Sequence, residues 1–153
     1  MDIVNELLSN RIMITGAIAW VSAQVIKTII FMIMNRTCDL TRLFGDGGMP
    51  SSHSATVTSV ALSVGLDMGF DTPIFALAFF VAVIVMHDAM GVRRETGKQA
   101  KILNDMIELL YDEETSPEEK LKEFVGHSPS QVCAGFALGV IIALLMKFVI
   151  MPG

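Results

Sequence analysis

Two histidines stand where a phosphate group can be handled. His53 lies in Gly47-Gly48-Met49-Pro50-Ser51-Ser52-His53-Ser54, and His127 in Gly126-His127-Ser128-Pro129-Ser130-Gln131. Each stretch is a polar helix start next to an apolar segment. A phosphate ester is anionic, and its transfer spreads further charge onto the equatorial oxygens, which fixed Arg and Lys groups stabilise with little reorganisation. A helix N-terminus adds backbone N–H groups and the positive end of a dipole, here at Ser51 and Ser52, with Gly47 and Gly48 allowing a close backbone approach. One imidazole can attack phosphorus and a second can protonate the leaving oxygen, both near their ordinary pKa. The cations available are Arg36, Arg93, Arg94 and Lys98, with Lys27 deeper in an apolar run. The bland alternatives are helix caps at Ser51 and Ser128, an interfacial His53, and Arg93–Arg94 as a membrane anchor.

The elements that must bring these residues together are apolar. The chain has 153 residues, is 52% hydrophobic and contains 11 Met, a composition of membrane interiors or adaptable cores. Its formal charge of -5 argues against a nucleic-acid partner, which calls for a basic face. Cys38 and Cys133 show no metal or scaffold spacing and read as reduced structural residues. No Asp/Glu/His cluster has metal-ligand spacing, so no metal and no cofactor are expected. Met1–Arg11 carries Asp2 and Glu6 and no small-residue cleavage site, so the first apolar segment is expected to be retained.

Four apolar segments read as transmembrane helices: Ile12–Met34, Ser54–Met68, Pro73–Met86 and Val132–Met151. The second is short and hydroxyl-rich. Ser52, Thr56, Ser59 and Ser63 fall on one helical stripe, which predicts a helix buried among others with hydroxyls bonding across the interfaces. Gly135 and Gly139 form a small-xxx-small pair for close helix packing. The expected fold is an all-α, polytopic membrane bundle of about four transmembrane helices with a charged amphipathic cap. A buried helix of a soluble protein is the competing possibility.

Asp67–Thr72 reads as a tight turn, and 89–126 as the charged loop and cap. Within Glu95–Glu123, nine acids and four lysines give the same net charge, -5, as the whole chain. An amphipathic helix is expected near Lys98–Leu110, and a second, capped one from Ser116-Pro117-Glu118-Glu119. Either this segment is a solvated cap or it is a lid. Four spans put both termini on one side and all five of His53, His127, Arg36, Arg93 and Arg94 on the other. That second side collects Arg36, Arg42, Arg93, Arg94, Lys98, Lys101, Lys120 and Lys122 against Arg11 and Lys147, which predicts a cytoplasmic site. Lys27 inside its helix costs about 2.5–3.5 kcal/mol on insertion scales, so it is expected to face the bundle interior with a partner.

Taken together, these stretches resemble the divergent branch of the type 2 phosphatidic acid phosphatase superfamily, related to vanadium-dependent haloperoxidases. Pro50-Ser51-Ser52-His53 resembles the P-S-G-H motif, with Ser for Gly, and His127-Ser128-Pro129-Ser130-Gln131-Val132-Cys133-Ala134-Gly135 resembles an H-x-P-x-D-V-x-A-G form of the third motif. The resemblance extends over nearly the whole chain. It implies His127 as the nucleophile of a phosphohistidine intermediate and His53 as general acid. It also implies Ser51 and Ser52 as phosphate holders, and Lys27, Arg36 and one of Arg93 or Arg94 as neutralising cations. Three departures stand out. Gln131 replaces the Asp that orients the nucleophile, and Asp88 is the candidate to take that place. Lys27 and Arg36 are nine residues apart instead of seven, so they share a face only if the helix ends before Arg36. The charged insertion separates the arginines from His127.

The implied activity is metal-independent hydrolysis of an isoprenoid or glycerolipid phosphate or diphosphate by a multi-pass membrane protein, with a lipid phosphate and membrane lipids as partners and a homo-oligomer compatible with the sequence. A non-catalytic lipid-phosphate binder or transporter, motivated by Gln131, and a small structural membrane protein are the alternatives.

Overall fold

The computed structural model describes residues 2–37, 43, 45, 47–110, 121 and 126–151. Among these described residues six α-helices follow one another: α1 Ile3–Ser9, α2 Arg11–Asn35, α3 Ser52–Met68, α4 Pro73–Met90, α5 Val92–Leu110 and α6 Pro129–Leu145. A π-helical turn, Met146–Ile150, continues α6.

Caps set the boundaries. The Asn10 side chain accepts from Met13 N at 3.0 Å and starts α2, and Thr72 does the same for α4, where Pro73 takes the first helical position. At 25 residues α2 is about 37 Å long, more than the hydrocarbon thickness. Among the described residues, three helical stretches are long and apolar enough to cross a membrane: α2, the run Pro73–Leu110 and the run Pro129–Ile150. Their outward residues, among them Val21, Ile29, Phe80, Ile84, Ile141 and Phe148, are exposed large hydrophobics, as expected of a bundle whose solvent is lipid. The protein is a helical, multi-pass membrane bundle.

α3 is the hub, packed by α2, α4 and α6. It has 17 residues, as α6 does before its π-helical continuation, and nine of those residues are buried. Small residues let its neighbours approach. A Cβ on Gly16 of α2 would lie 2.7 Å from Val60 Cγ2, and one on Gly139 of α6 would lie 2.9 Å from Thr58 Cβ. The hydroxyl stripe is buried in this hub, but its bonds run differently from expectation. Thr56 Oγ1 donates to Ser52 O at 2.8 Å and Ser59 Oγ to Thr56 O at 2.9 Å, both within α3. Carbonyls three and four residues back are within reach of a short hydroxyl, so Thr56 and Ser59 bond inside α3, while across the α3–α4 interface Thr58 Oγ1 donates to Met86 Sδ at 3.9 Å.

The end that carries the termini is clamped by one acid. Asp67, at the end of α3, accepts from Arg11 Nε at 2.9 Å and also bonds Arg11 Nη2. Lys147 Nζ stands 3.1 Å from the same carboxylate, and Arg11 Nη1 donates to Met151 O at 2.7 Å. Three helical stretches, α2, α3 and the π-helical end of α6, are thereby tied together at this end.

At that opposite end α4 stops at Gly91, whose φ of -97° and ψ of -94° break the helix. α5 begins at once, so the segment read as a charged loop is helical from Val92, six residues before Lys98. The proposed second helix at Ser116 lies outside the described residues, as do Cys38, Arg42, Lys120 and Lys122.

Candidate functional site

The two helix starts are laced together by backbone. Ser51 N donates to Gln131 O at 3.0 Å, joining the start of α3 to the first turn of α6. His127 N donates to Ala89 O at 2.9 Å, joining the residue before α6 to the last turn of α4. Gly135 lets these elements meet: any Cβ there would overlap Ser51 O and come within 2.9 Å of Ser54 Cβ. The small-xxx-small pair read from the sequence therefore sets the spacing between the His53 and His127 helices.

His53 and His127 come together on this frame. Their ring centroids are 6.1 Å apart with planes tilted by 56°. His127 is buried and His53 half-buried.

The partner of His127 fixes its proton. Ser128 is the N-cap of α6, and a full capping box links it to Gln131. In that box Gln131 Oε1 accepts the Ser128 backbone N–H at 2.9 Å, so this atom is the amide oxygen. The same oxygen lies 3.3 Å from His127 Nδ1. An amide oxygen only accepts, so Nδ1 carries the hydrogen and Nε2 of the neutral ring keeps its lone pair. Burial pushes the His127 pKa below the ordinary imidazole value. The Gln131 hydrogen bond partly offsets this, and the positive fields of His53, Lys27 and Arg93 lower it further.

A cavity of about 360 Å³ opens beside His127. One wall is Gly47 and Gly48, both at positive φ (79° and 86°). The floor is Gly126, His127, Ser128 and Gln131. The far wall is α5, which presents Arg94, Gly97, Lys98 and Lys101. Gly126, at φ 98°, holds that wall close: a Cβ on it would lie 2.7 Å from Arg93 C and Arg94 Cα. Lys27 is buried beneath the glycine loop. Its Nζ donates to Gly45 O at 2.7 Å, and a Cβ on Gly48 would lie 3.0 Å from its Cγ and Cδ.

The other sequence candidates fall as follows. Asp88 receives Arg93 Nε at 3.0 Å in an exposed pair, and it is Gln131 that stands at His127 Nδ1. Arg93 is therefore turned to Asp88, and Arg94 lines the cavity. Lys98 lines it too, while paired with Glu95 at 2.6 Å. Arg36 is the exposed left-handed residue that ends α2 (φ 53°), so the helix does stop before it, and it is not a cavity residue. Ser51 is fully buried, with its Oγ taken up by Ser54 N at 3.3 Å and Ser54 Oγ at 3.0 Å. Ser52 is the buried first residue of α3, and neither serine lines the cavity. Lys101 is the site residue that sequence reasoning passed over. Its signal was the spacing Arg94, Lys98, Lys101, which is i, i+4, i+7 on one helix face.

The arrangement offers one imidazole with a directed lone pair, His127, at a cavity lined by cations and glycine backbone, with the second ring, His53, 6.1 Å from it and outside the lining. Comparison with known proteins shows the family of the chain. A family model described as the Divergent PAP2 family matches residues 8–142. The chain is 37% identical over 157 residues to a protein named "Uncharacterized membrane protein YuiD" from Bacillus subtilis (strain 168), an alignment that covers 95% of this chain and 99% of that one. No solved structure matches. The chain belongs to the divergent PAP2 family.

Proposed function

We propose that the protein is a membrane lipid-phosphate phosphatase working through a phosphohistidine on His127. The observation that carries this reading is His127 at a cation-lined cavity with the His53 ring 6.1 Å from its own. His127 Nε2 attacks phosphorus, and the bond from phosphorus to the leaving oxygen breaks. The leaving oxygen keeps that electron pair and takes a proton from His53. Water then attacks the phosphohistidine, the P–N bond breaks, and His53 accepts the water proton. The sum is one ester or anhydride bond and one water converted to a free alcohol or phosphate and orthophosphate. Arg94, Lys98 and Lys101, which line the cavity, and Lys27 beneath its glycine loop offset the charge on the equatorial oxygens.

In this reading residues 1–153 form one membrane-embedded phosphatase-like domain, with 89–126 as its charged cap. The substrate is an isoprenoid or glycerolipid phosphate or diphosphate. The membrane is the plasma membrane, and the Lys/Arg excess at the histidine end supports a cytoplasmic site. Gln131 favours one second reading, a lipid-phosphate binder or transporter with the same pocket, because a neutral amide stabilises an imidazolium less than a carboxylate does. Release of orthophosphate from a panel of lipid phosphates, by purified protein with and without His127→Ala, separates the two.

A further inference from the structure

α5 carries three distinct faces around its circumference. At 100° per residue, Gly97, Ala100 and Asn104 share one face, and all three are buried. Asn104 is held there by Leu121, donating to its carbonyl at 2.9 Å and accepting its N–H at 3.0 Å. Arg94, Lys98 and Lys101 share the next face and line the cavity. The remaining arc, about 120° wide, holds Val92 and the exposed Glu95 and Gln99 in its first turns and, from there on, only Ile102, Leu103, Met106, Leu109 and Leu110, exposed by 59%, 48%, 50%, 85% and 73%.

A water-exposed cap does not keep the five large apolar side chains of Ile102–Leu110 in one arc. The helix also starts two residues after the last turn of α4, a helix in a membrane-crossing run whose flank exposes Phe80 and Ile84 to lipid. The bend at Gly91 turns the chain away from the α4 axis. The apolar arc thus continues the lipid-facing surface of the bundle, and the cationic face borders it, as in helices that lie in the plane of an anionic leaflet.

We propose that α5 is an in-plane membrane helix, with its Ile102–Leu110 apolar arc seated in the headgroup–acyl boundary of the leaflet at the histidine end. Its occupant is the lipid leaflet. The cationic flank then stands between that leaflet and His127, and a phosphate-bearing headgroup enters the cavity sideways along Arg94, Lys98 and Lys101. The membrane seating itself is independent of whether the site turns over.

The test is site-directed spin labelling of the full chain, with Cys38 and Cys133 replaced, in phosphatidylcholine–phosphatidylglycerol vesicles. Single nitroxides go at Leu103, Met106 and Leu110 on the apolar arc and at Lys101 and Asp105 off it. The expected result is a reversal within one helical turn: the three apolar positions relax with oxygen and are shielded from an aqueous nickel complex, and the two polar positions do the opposite. Equal access of the nickel complex to all five positions means a solvated cap and overturns the proposal. Shielding of the apolar positions from both reagents means a protein covers them, a second copy included, and overturns it as well.

Discussion

Gln131 Oε1 sits 3.3 Å from His127 Nδ1 while accepting the Ser128 N–H at 2.9 Å. One capping box therefore does two jobs: it starts α6 and it sets the tautomer of the imidazole in front of that helix. The pairing also leaves His127 with a neutral partner, so burial dominates and its pKa falls.

The pH dependence follows from that sign. In the proposed mechanism neutral His127 is the competent form, so activity is expected to be lost as pH falls through its pKa, with the acid limb of kcat/KM below the ordinary imidazole value. Gln131→Glu places a carboxylate of the same length at Nδ1, favours the imidazolium, and should move that limb up by about 1–2 pH units. A limb that does not move between the two proteins would show that His127 is not the titrating base.

Gly135 tests the frame. Its close approach to Ser51 O holds the α3 and α6 starts together. Gly135→Val is expected to destabilise the bundle by about 1–3 kcal/mol and to reduce turnover beyond the loss of folded protein, because His53 and His127 separate. Thermal unfolding in detergent combined with specific activity of the folded fraction measures both. Wild-type values for each would contradict the packing described.

Much of this frame was legible in the chain. Long apolar runs marked α2, α4 and α6, and Ser128-Pro129-Ser130-Gln131 announced its own cap. The convergence of both histidines followed from counting spans. What the sequence did not disclose depends on local competition and on where helices bend. Gly91 gave no advance sign that α5 starts at Val92 and swings Lys101 into the cavity wall. The hydroxyls of α3 had two sets of acceptors, and only packing decided for their own helix. Asp88 and Gln131 were both near His127 in sequence or by topology, and Arg93 captured the former.

Phosphoryl transfer to histidine, with fixed Lys and Arg groups meeting the charge, has no step for a divalent ion. Phosphate release is accordingly expected to persist in excess chelator and to be inhibited by vanadate, which takes the trigonal-bipyramidal shape of the transferring group. Activity abolished by chelation and restored by magnesium would count against the mechanism.

Orientation is open to labelling in intact cells. With the histidine end cytoplasmic, a Cys-free variant carrying Asp71→Cys, in the α3–α4 turn, should react with an impermeant thiol reagent from outside. Asp105→Cys, on α5, should react only after lysis. The reverse pattern would place the site on the outer face and make exported lipid carriers its substrates.

The most direct measurement of the central claim is orthophosphate release from isoprenoid and glycerolipid phosphates by the purified protein and its His127→Ala variant, each shown to be folded by thermal unfolding. The account predicts multiple turnovers by the wild-type protein and a loss of about a thousandfold or more in the variant. A folded His127→Ala protein that releases phosphate at the wild-type rate, or a wild-type protein that binds these lipids without releasing phosphate, would contradict it.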